Sequence, residues 1–328
     1  MRKEQMTKKQ ELYRSFSKAL KEQFGVSVYK ITLDSGFTCP NRDGKLALGG
    51  CTYCDADGSG PGQERAFLSI RQQLEEGKIF MKKRFGAEKF IAYFQAYTGT
   101  YTTPEKLKKL LDEALEVEGV IGLDVATRPD CLPDEIVELL KEYRDKTHFW
   151  LELGLQTTND EVLKRVNRGH DTACFVEAAK KMKALGFQVC AHMIMGLPGD
   201  DREHMLQAAD LISELGMDAV KLHHLHILKN SRMEHPWKRG LIPVLELDEY
   251  ASMVVDFLER VPESMIVQRL AGSSTPDKLL APLWTLEKAR IIQTIEQEFL
   301  RRKTYQGRLY EPKRTAVNVV YEGVHKFV

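Results

Sequence analysis

Apolar positions along the chain change period twice. Tyr13, Phe16, Leu20 and Phe24 recur at three- and four-residue spacing, which predicts an amphipathic helix over 7–24. After Gly25, short β-branched or aromatic runs alternate with longer helical patterns. The predicted strands are Val28–Leu33, Phe90–Gln95, Val120–Val125, Phe149–Leu155, Gln188–Met195 and Ala219–His226. Helices are predicted near 63–84, 104–117, 133–143, 172–185 and 201–215. Thr103-Pro104 and Leu132-Pro133 open two of them, with proline in the first turn where its missing N–H costs nothing. Gly119, Gly186 and Gly216 mark helix-to-strand junctions.

Six βα units in series predict an α/β fold with parallel strands and right-handed crossovers. Doubly wound sheets and barrels both satisfy that order, and six units fall short of the eight in a closed barrel. Beyond about residue 260 the alternation stops. The stretch RLAGSSTPDKLLAPLW (269–284) reads as a long loop, followed by a helix near 284–303 and a β-like tail ending YEGVHKFV. The chain therefore divides into an N-terminal basic helix (1–24), a core (25–260) and a smaller C-terminal extension (261–328).

Composition adds limits. Hydrophobic residues make up 43% and charged residues 29% of 328, a balance that can bury a large core without cross-links. No apolar run is long enough to span a membrane, and the polar N-terminus lacks the features of a signal peptide, so a cytoplasmic protein is expected. Net charge is +1, but residues 1–30 and 288–328 each carry +5, leaving −9 between them. Two basic ends could grip a polyanion such as RNA, and the plainer reading is solvated faces of amphipathic helices.

Three of the six cysteines crowd into the segment Cys39-Pro-Asn-Arg-Asp-Gly-Lys-Leu-Ala-Leu-Gly-Gly-Cys51-Thr-Tyr-Cys54, after the first predicted strand. Loops at the C-terminal ends of parallel strands are where α/β folds assemble chemistry. Gly36, Gly44, Gly49, Gly50, Gly58, Gly60 and Gly62 would let the backbone wrap a bulky centre. No fourth Cys or His lies nearby. A structural zinc site and a ferredoxin-type cubane both use four ligands, so three thiolates would leave one iron of a 4Fe–4S cluster open. A zinc ribbon completed by a distant His stays open on spacing alone. Cys131, Cys174 and Cys190 lie scattered and are expected to be buried small hydrophobes.

The C-x11-C-x2-C spacing, with an aromatic before the last Cys, resembles the radical S-adenosylmethionine (SAM) signature in the long-spaced form of the elongator catalytic subunit. Over roughly residues 25–325 the chain looks like the YhcC/YtqA branch of that superfamily. The resemblance implies a partial (β/α)6 TIM-like barrel. It also implies a 4Fe–4S cluster on Cys39, Cys51 and Cys54 whose open iron chelates S-adenosylmethionine, and reductive cleavage to a 5′-deoxyadenosyl radical. Tyr53 matches the aromatic beside the adenine. Thr98 and Gly99, in Tyr97-Thr-Gly-Thr-Tyr-Thr102, stand where the family has a Gly-Gly-Thr-type turn against the methionine amino group. Gln156 and Arg168 match ribose and carboxylate contacts, the latter a good guanidinium–carboxylate pairing. Met193-Ile-Met-Gly-Leu-Pro-Gly199 resembles the adenine-flanking stretch, and His192 replaces an acidic ribose ligand. Thr127-Arg-Pro-Asp130 resembles the third-strand segment of the elongator subunit, with Ala126 where a carboxylate is usual and Asp124 able to substitute.

On the sixth strand, alternation puts Lys221, His223 and Leu225 on one face and Leu222, His224 and His226 on the other. Substrate contacts and structural histidines both fit. The elongator-like motifs and basic ends point to a tRNA nucleoside as substrate, with a flavodoxin or ferredoxin as electron donor and no membrane partner. A small-molecule or peptide substrate, and a non-enzymatic zinc or Fe–S interaction protein, are the alternatives. A hydrolase ranks last, since the chain offers no nucleophile elbow, phosphate loop or zinc-protease helix.

Overall fold

The computed structural model describes residues 11–55, 58, 60 and 63–312. The first half runs α1 (Phe16–Phe24), β1 (Val28–Leu33), α2 (Ile70–Phe85), β2 (Lys89–Phe94), α3 (Pro104–Leu115), β3 (Val120–Thr127), α4 (Asp134–Lys146) and β4 (His148–Gln156). The second half continues α5 (Asp160–Arg165), α6 (Thr172–Ala184), β5 (Gln188–Met195), α7 (Arg202–Glu214), β6 (Ala219–His224) and β7 (Ile227–Leu228). It ends with α8 (Glu234–Lys238), α9 (Leu247–Arg260), β8 (Ile266–Arg269), β9 (Leu279–Ala281) and α10 (Lys288–Arg302).

Seven strands form one all-parallel sheet in the order β1-β2-β3-β4-β5-β6-β8, a partial barrel wrapped by helices. Strands buried on both faces explain the near-continuous apolar runs, such as KFIAYF in β2. The sheet curls enough for its two edge strands to touch, because Lys30 Nζ on β1 donates to Gln268 Oε1 on β8 at 2.5 Å. The main core lies between the sheet and its helices, with Leu107, Leu111, Phe175 and Phe257 fully buried. Thr103 caps α3 ahead of Pro104 as expected, whereas α2 begins only at Ile70, where Ser69 and Gln72 make a reciprocal capping box.

Three expectations need correction. The sheet has a seventh strand, β8, inside the segment assigned to the C-terminal extension. At four residues it is too short to display a period. The sixth strand stops at His224 rather than His226, since the Leu225 N–H turns back to the Met195 carbonyl. Helix α1 starts only at Phe16, because the backbone before it is spent on β8: the Val267 N–H donates to the Arg14 carbonyl and Ser15 bridges Val267. The predicted turn at 7–10, Gly62 and the β-like tail lie outside the described residues.

Helix α1 covers the N-terminal rim of the strands, with Phe16 edge-on to Trp150 at 5.9 Å and Phe24 edge-on to His148 at 5.1 Å. The basic groups of α10 are largely paired: Arg302 with Asp256 and Glu298, Arg301 with Glu298, and Arg290 with Glu287. Among the described residues no helix is long and apolar enough to cross a membrane.

Candidate active site

The cysteine loop rises from the C-terminal end of β1. Cys39 starts a turn, its carbonyl accepting from Arg42 N at 2.8 Å, and the Cys54 N–H folds back onto the Cys51 carbonyl at 3.1 Å. Gly50 reaches φ +77°, and a Cβ there would lie 3.0 Å from Arg42 Cγ, so the turn into Cys51 needs glycine. Cys39 and Cys51 are buried and Cys54 half-buried.

Backbone and amide contacts stitch this loop to the segment after α5. Thr52 N donates to the Val166 carbonyl at 2.9 Å, Asn167 Nδ2 donates to the Gly50 carbonyl at 2.8 Å, and Asn41 Nδ2 reaches the Asn167 carbonyl. Arg128 pairs with both carboxylate oxygens of Asp130 at 2.7–2.8 Å and donates to the Arg168 carbonyl at 2.8 Å. Arg168 is thereby held with its guanidinium toward Cys51 Sγ, 3.8 Å away, and the Gly154 carbonyl, 3.0 Å away. Asn41 Nδ2 lies 3.6 Å from Cys51 Sγ, and Arg42 Nη1 3.6 Å from Cys54 Sγ. Burial raises the Cys51 thiol, but Arg168, Tyr53 and Arg128 outweigh it and bring the thiol below its ordinary value. Cys54 is pushed up to about 12 by burial and by Cys51.

Three cysteines, Tyr53, Thr98, Gln156, Arg168 and His192 face a single cleft of about 1130 Å³, open to solvent. Gly99 is not among the lining residues; its N–H is taken by the Ala126 carbonyl at 2.9 Å, which locks the turn onto β3. Gln156 sits at φ +75°, a strained conformation for a side-chain-bearing residue at a strand end. Thr98 Oγ1 and Arg168 Nε are buried polar atoms without a hydrogen-bond partner among the described residues. Such orphans are costly unless a ligand meets them.

Below the cleft lies a buried ionic network that the sequence reading reached only in part. Glu152 on β4 accepts from Lys221 Nζ, Tyr93 Oη at 2.6 Å, His192 Nε2 at 2.6 Å and Lys30 Nζ at 2.9 Å. Lys30 also pairs with Asp124. Burial opposes the Glu152 charge, but Lys221, Lys30 and His192 together hold the carboxyl well below its usual range. Burial draws Lys221 down to about 8, against the pull of Glu152, and burial with the Glu152 charge pushes Asp124 up to about 7. Asp124 is therefore engaged inside the barrel and does not line the cleft. Two acidic residues pointing inward from otherwise apolar strands were the available signal, since buried carboxylates demand partners.

The three histidines at and just after the end of β6 differ in their contacts. His224 also touches the cleft, but its Nε2 lies 2.7 Å from Thr285 Oγ1 and its ring packs against Trp284, a structural contact. His223 and His226 line the cleft, as does Arg269, which sequence reading left in the presumed loop. Cys131 and Cys190 are buried as expected and Cys174 is half-buried. Among the described residues, Glu152, Cys190 and His192 are the one trio whose ligand atoms approach within 4.8 Å of each other. The three loop sulfurs do not all lie within that distance of one another.

The chain matches the Radical SAM superfamily model over residues 39–212 and the Radical_SAM C-terminal domain over 217–301. It is 38% identical to YtqA of Bacillus subtilis (strain 168) over 299 residues, covering 91% of this chain and 93% of that one. It is 40% identical to YhcC of Escherichia coli (strain K12) over 276 residues, covering 84% and 88%. The structure of Elp3 from Methanocaldococcus infernus, lacking its N-terminus, shares the fold with a TM-score of 0.60 at 18% identity, covering 85% of this chain and 64% of that one. More distant similarity, 23% over 253 residues (70% of this chain, 57% of the other), reaches a tRNA-2-methylthio-N(6)-dimethylallyladenosine synthase of Fusobacterium nucleatum. With the superfamily model spanning more than half of the residues, the protein belongs to the radical SAM superfamily and is an enzyme of that kind.

Proposed function

We propose that Cys39, Cys51 and Cys54 hold a 4Fe–4S cluster, that S-adenosylmethionine binds at its open iron, and that the enzyme acts on a tRNA nucleoside. One observation carries the cofactor reading: three thiols on one loop face a cleft whose polar lining is left unsatisfied by the protein itself. The donor set fits the group. N–H groups of Asn41, Arg42 and Arg168 lie against the sulfurs of Cys51 and Cys54, where they would offset thiolate charge.

When bound, the two groups would supply a 5′-deoxyadenosyl radical able to abstract an unactivated hydrogen. The protein's own residues would do the positioning. Arg168 offers a guanidinium to the cofactor carboxylate, and Thr98 a hydroxyl to its amino group. Gln156 and His192 flank the ribose side, Tyr53 the adenine, and Gly99 shapes the turn that presents Thr98. The closed ionic network beneath keeps the cleft floor polar yet fixed. An electron donor such as flavodoxin or ferredoxin would reduce the cluster.

The tRNA substrate is supported by the distant tRNA-acting relative and by its kin among tRNA uridine(34) acetyltransferases. Incubating reduced, reconstituted protein with bulk tRNA should change the mass of one nucleoside after digestion, and an unaltered nucleoside profile in a deletion strain would count against it. A small-molecule or peptide substrate is the second reading, favoured by the ion pairs that neutralise Arg290, Arg301 and Arg302 of α10. It predicts RNA binding without the steep salt dependence of phosphate contacts.

A further inference from the structure

The wall of the cleft formed by β6 and β8 carries a guanidinium, Arg269, that makes no ion pair among the described residues. Lys221 and Arg269 are register partners on adjacent parallel strands, so both side chains point to the inner face. Lys221 is consumed by Glu152. Arg269 lines the cleft and has no hydrogen bond or ion pair among the described residues. Beside it, His223 Nε2 and His226 Nδ1 are buried polar atoms without a hydrogen-bond partner among the described residues. The His192 ring stacks on that of His223, with centroids 6.0 Å apart at 24°. Gly272 closes the back of this wall: a Cβ there would lie 3.1 Å from His226 Nδ1 and 3.3 Å from His223 Nδ1. The two rings are thus confined in their present places. Burial, reinforced by the Arg269 charge, holds His223 well below its ordinary value.

An unanswered guanidinium flanked by two orphan imidazoles has one chemical complement. Guanidinium forks match carboxylate and phosphate oxygens, and a neutral imidazole N–H can donate to the same group. The acidic groups facing this wall are engaged elsewhere than on Arg269: Glu152 by Lys221, Lys30, Tyr93 and His192, Asp124 by Lys30, while Asp55 acts on His226. The oxygens of a bound ligand would match the guanidinium and the two imidazoles. Arg168, beside the cysteines, is already the guanidinium assigned to the cofactor carboxylate.

We propose that Arg269, His223 and His226 form an oxyanion subsite that docks a carboxylate or phosphate of the substrate. The assignment rests on the radical SAM reading of the cleft and adds the chemical class of what enters it. A substrate bearing such a group would be anchored at the β6–β8 wall, with its reacting carbon turned toward the cysteine loop across the cleft.

The test uses full-length, cluster-loaded protein labelled with nitrogen-15 histidine and titrated anaerobically with inorganic phosphate or acetate. Chloride holds ionic strength constant. Saturable shifts of the His223 and His226 imidazole signals are expected. Arg269→Gln should weaken them by about tenfold or more, as loss of a charged hydrogen bond implies. The exposed Arg290→Gln should not. Response to acetate alone marks a carboxylate, to phosphate alone a phosphate ester, and to both an undiscriminating oxyanion site. If Arg269→Gln does not fold, Arg269→Lys keeps the charge and should weaken binding by a smaller factor. Unsaturable shifts, an undiminished response in the Arg269 variants, or displacement of the anion by S-adenosylmethionine would overturn the proposal. Release of 5′-deoxyadenosine by the same preparation tests the radical reading separately. Release without oxyanion binding removes only the subsite; binding without release removes the reading beneath it.

Discussion

Lys221 on β6 and Glu152 on β4 form a fully buried ion pair across the intervening strand, with Lys221 Nζ 2.5 Å from Glu152 Oε2. The pair is not isolated. Glu152 also serves Lys30, Tyr93 and His192, whereas Lys221 adds only Tyr93 at 2.9 Å. Removing one partner of a buried pair costs about 3–5 kcal/mol, mainly through the charge left behind. Glu152→Gln strands two lysines against one remaining acid, so it should fall at the upper end of that range. Lys221→Met leaves Glu152 with three partners and should fall at the lower end. Urea denaturation of the two variants checks the order, and equal losses would show that the hub is not Glu152.

Cys39→Ala, Cys51→Ala and Cys54→Ala should each abolish tight iron binding, because each removes one corner of a three-point site. Cys131→Ala, Cys174→Ala and Cys190→Ala should retain wild-type iron and sulfide content after anaerobic reconstitution. Stoichiometric zinc with no iron uptake in the wild type would contradict the cluster reading.

The Arg42 guanidinium lies over the Tyr97 ring at 5.3 Å while donating to the Asp55 carbonyl at 2.7 Å. That fixes its contact with Cys54 Sγ. Hydrogen bonds and positive charge at cluster sulfurs stabilise the reduced, more negative state. Arg42→Met should therefore shift the midpoint potential of the cluster to a more negative value, by tens of millivolts, in a redox titration followed by electron paramagnetic resonance. An unchanged potential would reduce Arg42 to a packing role.

What the sequence disclosed follows from how far each signal reaches. The cysteines were legible because three of them share sixteen residues of chain, and the βα order because each unit repeats one pattern. Gln156 and Arg168 came through resemblance, and the cleft they share with Cys51 follows only once β4 and the segment after α5 are folded together. Arg269 was invisible because β8 is four residues long and its inward face is defined only by pairing with β6. Lys30 and Tyr93 were invisible for another reason: their partner, Glu152, lies 122 and 59 residues away, beyond any local pattern.

Acid should unfold this protein through its buried neutral histidines. Burial, with Lys30 nearby, lowers His148 to about 4, and its Nε2 accepts from Trp150 Nε1 at 2.9 Å. Burial, with His226 nearby, lowers His224 to about 3. The unfolded chain takes up a proton on each ring near the ordinary value of 6.5, while the native state does not until far lower pH. Between about pH 6.5 and 4 the unfolded state therefore binds more protons, so stability is full above that window and lost as pH falls through it. Each such ring contributes a slope of about 1.4 kcal/mol per pH unit within the window. Denaturation curves at a series of pH values should show His148→Gln and His224→Gln each flattening the acid slope by about one proton. Because His148 lies 2.9 Å from Trp150 Nε1, its variant should also lower stability at pH 7, where no titration contributes. Acid slopes identical to wild type in both variants would mean that neither ring is kept neutral by its burial.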